Sequence, residues 1–162
     1  NLVKRLGIIS YIPDEPSIAL GTASMSLLEL TGAFVPIGGK GIPIIPYGIN
    51  KINIRSGSSV WERSKPLRNP IIEKPVLIKI QSILRAVIED GTGYKLKSLA
   101  TKVMGKTGTS QRNRDAWFVG CTNKYVIGVW VGRDDDKPMI GIAGSNVPVQ
   151  IFKDTLSNTI LN

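Results

Sequence analysis

Met104-Gly-Lys-Thr-Gly-Thr-Ser-Gln-Arg-Asn-Arg-Asp-Ala-Trp-Phe-Val-Gly-Cys-Thr-Asn-Lys-Tyr-Val-Ile-Gly-Val-Trp-Val-Gly-Arg133 decides the fold of this chain. Three β-rich segments, Lys106 to Ser110, Asp115 to Cys121 and Tyr125 to Arg133, are separated by the short polar connectors Gln111 to Arg114 and Thr122 to Lys124. Connectors this short join antiparallel neighbours, whereas a parallel crossover needs a dozen or more residues. Three sequential antiparallel strands are predicted.

Helical patterns surround that sheet. Ser26 with Glu29 three positions on forms a capping box, and Leu27, Leu30, Phe34 and Ile37 recur at helical spacing until Gly38-Gly39, so a helix runs from Ser26 to Ile37. Pro36, Pro43 and Pro46 then predict an irregular extended crossing. Ile49 to Arg55 and Ser59 to Arg63, separated by Gly57-Ser58, read as an exposed hairpin. Pro75 opens a second helix whose common face is read as Val76, Ile80, Ile83, Leu84 and Val87, ending at the Gly91-Thr-Gly93 turn. Asn146 and Pro148 start a last helix carrying Ile151, Phe152, Leu156 and Ile160. The fold class is α+β, an antiparallel sheet covered by helices.

Composition bounds the function. The 162 residues suit one packed domain, and the 17 Gly and 10 Pro, free of any low-complexity tract, read as turns. The formal charge is +9, but Lys40, Lys51, Arg63, Lys65, Arg68, Lys95, Lys97, Lys102 and Lys106 are scattered, and no nucleic-acid partner is expected without a matching fold signature. With no histidine and one cysteine, imidazole catalysis and Cys/His zinc sites are excluded, and no metal or organic cofactor is implied. Cys121 reads as a half-buried inert thiol. No apolar window spans a membrane, and the start lacks a signal-peptide pattern and an initiating Met, so the chain reads as cut from something longer.

Met104 to Ser110 packs small, hydroxylated and cationic residues too tightly for core packing to explain. On a strand, Lys106 and Gly108 share one face and Thr107 and Thr109 the other, and the intervening glycine lets a backbone or ligand approach. A P-loop fails on spacing, since Ala100 stands where it needs glycine and a strand pattern follows where a helix should start. A bare Lys-Thr-Gly triplet is compatible with an ordinary strand and turn, although it also belongs to the signature set of penicillin-binding proteins.

Context extends the triplet. Lys4-Arg-Leu-Gly-Ile, Ser17-Ile-Ala-Leu-Gly, Leu28-Glu-Leu-Thr-Gly-Ala, Gly38-Gly, Gly91-Thr-Gly, Gly105-Lys-Thr-Gly-Thr, Asp115-Ala-Trp-Phe-Val-Gly and Trp130-Val-Gly-Arg-Asp occur in succession. In that order they resemble the carboxyl-terminal half of the transpeptidase domain of class A penicillin-binding proteins, so residues 1–162 read as the later part of one such domain. The resemblance implies a partial penicillin-binding, serine β-lactamase-like fold. It also implies a reaction in which a serine attacks a D-Ala-D-Ala stem peptide of peptidoglycan, forms an acyl-enzyme and passes the acyl group to an amine. Penicillins mimic the donor.

By the same resemblance, Lys106 supplies positive charge and proton-relay contacts beside the nucleophile. Thr107, Gly108 and Thr109 bind substrate, the two hydroxyls meeting its carboxylate, and the Thr109 N–H is one oxyanion-hole donor. The complete protein would carry an upstream glycosyltransferase domain and a membrane anchor, with the transpeptidase domain on the periplasmic side of the inner membrane. Neither Ser-x-x-Lys nor Ser-x-Asn occurs in the chain. Acyl transfer needs nucleophile, base and oxyanion donors in one site, so the chain is expected to be inactive alone and to need the missing upstream half as partner. A non-catalytic module that recognises cell-wall peptide is the alternative.

The remaining conspicuous residues have plain readings. Trp117, Phe118 and Trp130 read as core, with groove lining as a second reading for Trp117. Asp134-Asp-Asp136 reads as a solvated turn, because glycine and glutamate at loop spacing are absent. Arg112 and Arg114 read as a solvated connector, with substrate carboxylates as the other reading and Asp115 as the partner of one of them.

Overall fold

The computed structural model describes residues 2–64 and 69–160. Lys65 and Arg68 of the scattered cations, and the Ile160 side chain, lie outside the described residues. In chain order the elements are α1 (Leu2–Arg5), α2 (Leu27–Gly38), the hairpin β1 (Lys51–Asn53) and β2 (Ser59–Glu62), α3 (Lys74–Glu89), β3 (Met104–Thr109), β4 (Asp115–Cys121), β5 (Val126–Gly132) and α4 (Val147–Ile160). Short 3₁₀ turns lie at Pro16–Leu20, Tyr94–Leu99 and Gln111–Asn113. The main sheet is antiparallel in the order β3-β4-β5, as the connector lengths require.

The ladder runs Met104↔Cys121 to Thr109↔Ala116 and then Asp115↔Gly132 to Cys121↔Val126. Because strand side chains alternate, this register puts Gly105, Thr107, Ala116, Phe118, Gly120 and Val129 on one face. That face buries Phe118 against Phe152 of α4, edge to face at 4.9 Å between ring centres, with Val149, Leu156, Leu96 and Ile88 around them. Glycine at 120 is required for this approach, since a Cβ there would overlap the Phe152 ring. On the opposite face Met104 and Cys121 pack with Leu84 of α3 and with Phe34 and Ile37 of α2. Gly128 lets α2 lie close on that face, because a Cβ there would overlap the Thr31 side chain. Cys121 is fully buried rather than half-buried, and burial pushes its thiol up to about 12, which keeps it neutral.

The capping box is formed: the Ser26 hydroxyl accepts from the Glu29 N–H at 3.2 Å and the Glu29 carboxylate accepts from the Ser26 N–H at 3.0 Å. Glu29 also accepts from the Ile9 and Ser10 N–H groups at 3.0 and 2.8 Å and from the Ser10 hydroxyl. One side chain thus fastens the amino-terminal segment to α2. The last helix starts at Asn146, whose side-chain oxygen accepts from the Val147 and Ala143 N–H groups.

Two packing readings are corrected. In α3 the buried positions are Leu77, Leu84 and Ile88, while Val76 and Ile83 face solvent. This helix is apolar at so many positions that its periodicity supports more than one face, and the sheet selects the stripe that reaches Met104 and the Phe118 cluster. Trp130 is not core: it is 41% exposed, and its indole N–H donates to Asp115 Oδ1 at 2.9 Å. Its neighbour Trp117 is half-buried, with ring centres 6.1 Å apart.

Phe152→Ala removes the ring that Gly120 accommodates and is expected to cost about 3–5 kcal/mol in urea denaturation. Glu29→Gln should lower the melting temperature at neutral pH. Hydrogen bonds from Ser26 and then Ser10 hold the Glu29 carboxyl down at about 2. Its contribution is therefore full above the ordinary carboxylate range and is lost as pH falls from about 4.5 towards 2. Thermal melts of the two proteins should converge across that window.

Candidate functional site

Among the described residues β3 has a strand partner on one side only. The Ser110 N–H donates to the Asp115 carbonyl at 2.9 Å, and antiparallel pairing alternates from there. Lys106 and Gly108 consequently turn their backbone N–H and C=O groups towards β4, while Thr107 and Thr109 turn theirs to the open edge. A strand edge with unpaired donors and acceptors is a template for an extended peptide.

Lys106 stands at this edge. Its side chain is exposed, and Nζ donates to the outward-facing Thr107 carbonyl at 2.7 Å. No carboxylate among the described residues pairs with it, so its charge remains available to an anionic ligand. Gly108 lies opposite Trp117, and a Cβ at 108 would stand in van der Waals contact with the Trp117 Cβ at 3.4 Å. Trp117 thereby forms a wall under the strand.

The two threonines are held differently from one another. Thr107 is buried, and its hydroxyl pairs with the Thr92 hydroxyl at 2.5 Å. Thr109 is exposed, and its hydroxyl accepts from the Gly144 N–H at 3.0 Å. A hydroxyl has one donor and two acceptor positions, so Thr109 keeps its O–H free to donate. Gly144 is packed so tightly over Gly108 and Trp117 that a Cβ would overlap the Gly108 carbonyl.

Thr92 and Gly144 are the residues that sequence reasoning missed as supports. Gly91-Thr-Gly93 stands out as a turn and as one segment of the family pattern, and nothing local connects it to β3, fifteen positions away. The structure thus brings Lys106, Gly108 and Thr109 together at an accessible edge, while the Thr107 hydroxyl is turned into the protein.

The connector after β3 is constrained. Arg112 and Asn113 both adopt left-handed backbone, at φ 60° and 54°, a region that non-glycine residues enter at a cost of order 1–3 kcal/mol each. Arg114 pairs with Asp136 at 2.7 Å, not with Asp115, which serves Trp130. Asp135 is held by Arg133 at 2.7 Å and Lys137 at 3.2 Å, and the Arg133 hydrogen bond drives its carboxyl far below the usual range. These aspartates are committed to surface ion pairs. Among the described residues no group of three or more His, Cys, Asp or Glu could hold a metal.

The family model described as "Penicillin binding protein transpeptidase domain" matches residues 14–157, and the chain belongs to that family. Penicillin-binding protein 1A of Rickettsia conorii is 33% identical over 98% of this chain and 23% of its own length. Penicillin-binding protein 1A of Aquifex aeolicus is 37% identical over 93% of this chain and 21% of its own length. The chain therefore spans about a quarter or less of these relatives.

Among solved structures, penicillin-binding protein 1A from Haemophilus influenzae superposes with a TM-score of 0.81 at 24% identity, covering 97% of this chain and 30% of that one. PonA1 from Mycobacterium tuberculosis in complex with penicillin V gives 0.78 at 22% identity, covering 98% and 48%. The fold is that of part of a penicillin-binding transpeptidase domain.

The Thr92–Thr107 bond gives a direct test. Thr92→Val leaves the buried Thr107 hydroxyl without its partner and should destabilise by about 1–3 kcal/mol. The double replacement Thr92→Val/Thr107→Val should cost less than the sum of the single ones in chemical denaturation, because neither hydroxyl is then stranded.

Proposed function

We propose that this chain supplies the Lys-Thr-Gly half of a serine D,D-transpeptidase site that cross-links peptidoglycan stem peptides and is acylated by β-lactams. The observation that carries the reading is the open β3 edge, along which lie the outward Thr109 N–H, its O–H and the Lys106 ammonium, which has no carboxylate partner among the described residues. In the reaction, a serine oxygen bonds to the penultimate D-Ala carbonyl carbon, the C–N bond to the terminal D-Ala breaks, and that amine leaves with a proton. The Thr109 N–H would meet the oxyanion, and loss of one such donor typically costs about 2.7–4 kcal/mol. Lys106 would offset the substrate carboxylate and relay the proton, with the Thr109 hydroxyl donating to that carboxylate and Gly108 permitting close approach.

The nucleophile has to come from another segment, because this sequence has no Ser-x-x-Lys and no Ser-x-Asn. Two features support a complementary half as partner. The outer edge of β5 carries no strand among the described residues. Large apolar side chains also lie in solvent, including Ile9 at 91% and Leu20 at 87% exposure, and the hairpin presents Ile52, Val60 and Trp61. By family the assembled site works outside the bacterial cytoplasmic membrane. No helix among the described residues is long and apolar enough to cross a membrane.

Fluorescent penicillin followed by intact-mass measurement tests this. The chain alone should remain unlabelled, and a serine-bearing upstream segment should become labelled when this chain is added. Lys106→Ala should reduce that labelling at least about a hundredfold, on the scale of losing a transition-state electrostatic contact. Labelling of this chain itself would contradict the assignment of the nucleophile elsewhere. Absence of labelling in the mixture, with stem peptide still bound, would instead make the chain a non-catalytic recognition module.

A further inference from the structure

A cavity of about 620 Å³ lies at the other end of the sheet from Thr109. It is bounded by the end of α2 at Gly38–Lys40, by Arg85 of α3, by residues 101–104 leading into β3, by residues 121–123 leaving β4, and by Leu156 and Ser157 of α4. At about 3.3 Å per strand residue, Met104 is about 17 Å from Thr109. The cavity is therefore separate from the Lys106 edge and does not depend on the transpeptidase reading.

Its charge is one-sided. Lys40 follows α2, Arg85 is on α3 and Lys102 precedes β3, and none forms an ion pair with a carboxylate among the described residues. Among the described residues no Asp or Glu lines the cavity. At the end of α2 the Gln81 side-chain amide donates to the Ile37 and Gly39 oxygens at 2.8 and 3.2 Å. The floor is apolar and neutral, formed by Val103, Met104, Leu156 and the buried Cys121 thiol. The volume is within the range of about 300–1,000 Å³ common to small-molecule sites.

We propose that this cavity binds an organic phosphate monoester, its phosphate held by Lys40, Arg85 and Lys102 and its apolar substituent lying on the Met104–Cys121 floor. A planar guanidinium and two ammonium groups lining one cavity match a doubly charged tetrahedral anion better than a single carboxylate. An apolar floor beneath the cations calls for a ligand that carries carbon as well as phosphate. The rim cations are exposed, so binding is of modest strength and weakens with salt. A lipid headgroup and a free phosphate share this chemistry, and the probes separate them.

The test titrates the full chain with hexyl phosphate, inorganic phosphate and hexanol, following the Met104 methyl and the Asn123 side-chain amide by NMR. Hexyl phosphate should saturate both signals and bind at least about tenfold tighter than either inorganic phosphate or hexanol, a difference of about 1.4 kcal/mol. The variant Lys40→Gln/Arg85→Gln/Lys102→Gln should lose at least about tenfold in affinity. Lys51→Gln/Arg55→Gln/Arg63→Gln, which removes the same charge from the hairpin, should bind as the unmodified chain does. Equal loss in both variants, or no saturable shift at Met104, overturns the proposal. Equal affinity for inorganic and hexyl phosphate overturns its apolar half. Should the first variant fail to fold, the Met104 and Asn123 shifts of the unmodified chain decide alone.

Discussion

Everything at the candidate site depends on β3 being paired along one edge only. The β4 ladder fixes its register, so the alternation of N–H and C=O groups is set, and every second residue must present its backbone outward. A single-residue slip would exchange the two sets, placing the Lys106 side chain on the helix α4 face and the Thr109 N–H against β4. The packing of Gly105 against the Phe118 ring is what makes such a slip expensive, because a slipped β3 would bring a side chain where a Cβ overlaps that ring. Core geometry at one face therefore determines chemistry at the edge.

Around this strand the supports are non-local. Thr92, at the end of α3, holds the buried face of Thr107, and Gly144, in the segment entering α4, holds Thr109. Each tie consumes one hydrogen-bonding position of a threonine and leaves the outward backbone untouched. The two successive left-handed residues, Arg112 and Asn113, turn the chain back within a connector short enough to keep β3 and β4 adjacent. The strand is thus positioned by β4 and by ties to two distant segments before any ligand arrives, which is the condition under which fixed donors stabilise developing charge.

Much of this fold was legible in the sequence because its signals are local. The Ser26–Glu29 box marks the start of α2, the lengths of the two polar connectors force an antiparallel order, and Asn146-Val-Pro148 marks the start of α4. Reading failed where a choice depended on distant partners. Helix α3 carries Val76, Leu77, Ile78, Ile80, Ile83, Leu84, Val87 and Ile88, so its pattern does not say which stripe is buried until the sheet is in place. Trp130 was read as core since tryptophan usually is, but Asp115 across the ladder gives its indole a surface partner. Arg114 likewise bypasses adjacent Asp115 for Asp136, twenty-two positions away. The Lys106–Thr109 segment stands out because its composition resists explanation by packing, whereas nothing in the sequence ties Thr92 or Gly144 to it.

Residue-resolved amide hydrogen exchange of the chain most directly tests the claim that β3 offers an open edge of defined polarity. The account predicts slow exchange at Lys106 and Gly108, whose N–H groups face β4, and fast exchange at Thr109, with the Thr109 amide becoming protected once a β-lactam acylates the assembled site. Protection at Thr109 equal to that at Gly108 in the chain alone would show that the edge is already occupied or the register shifted, and would contradict the account.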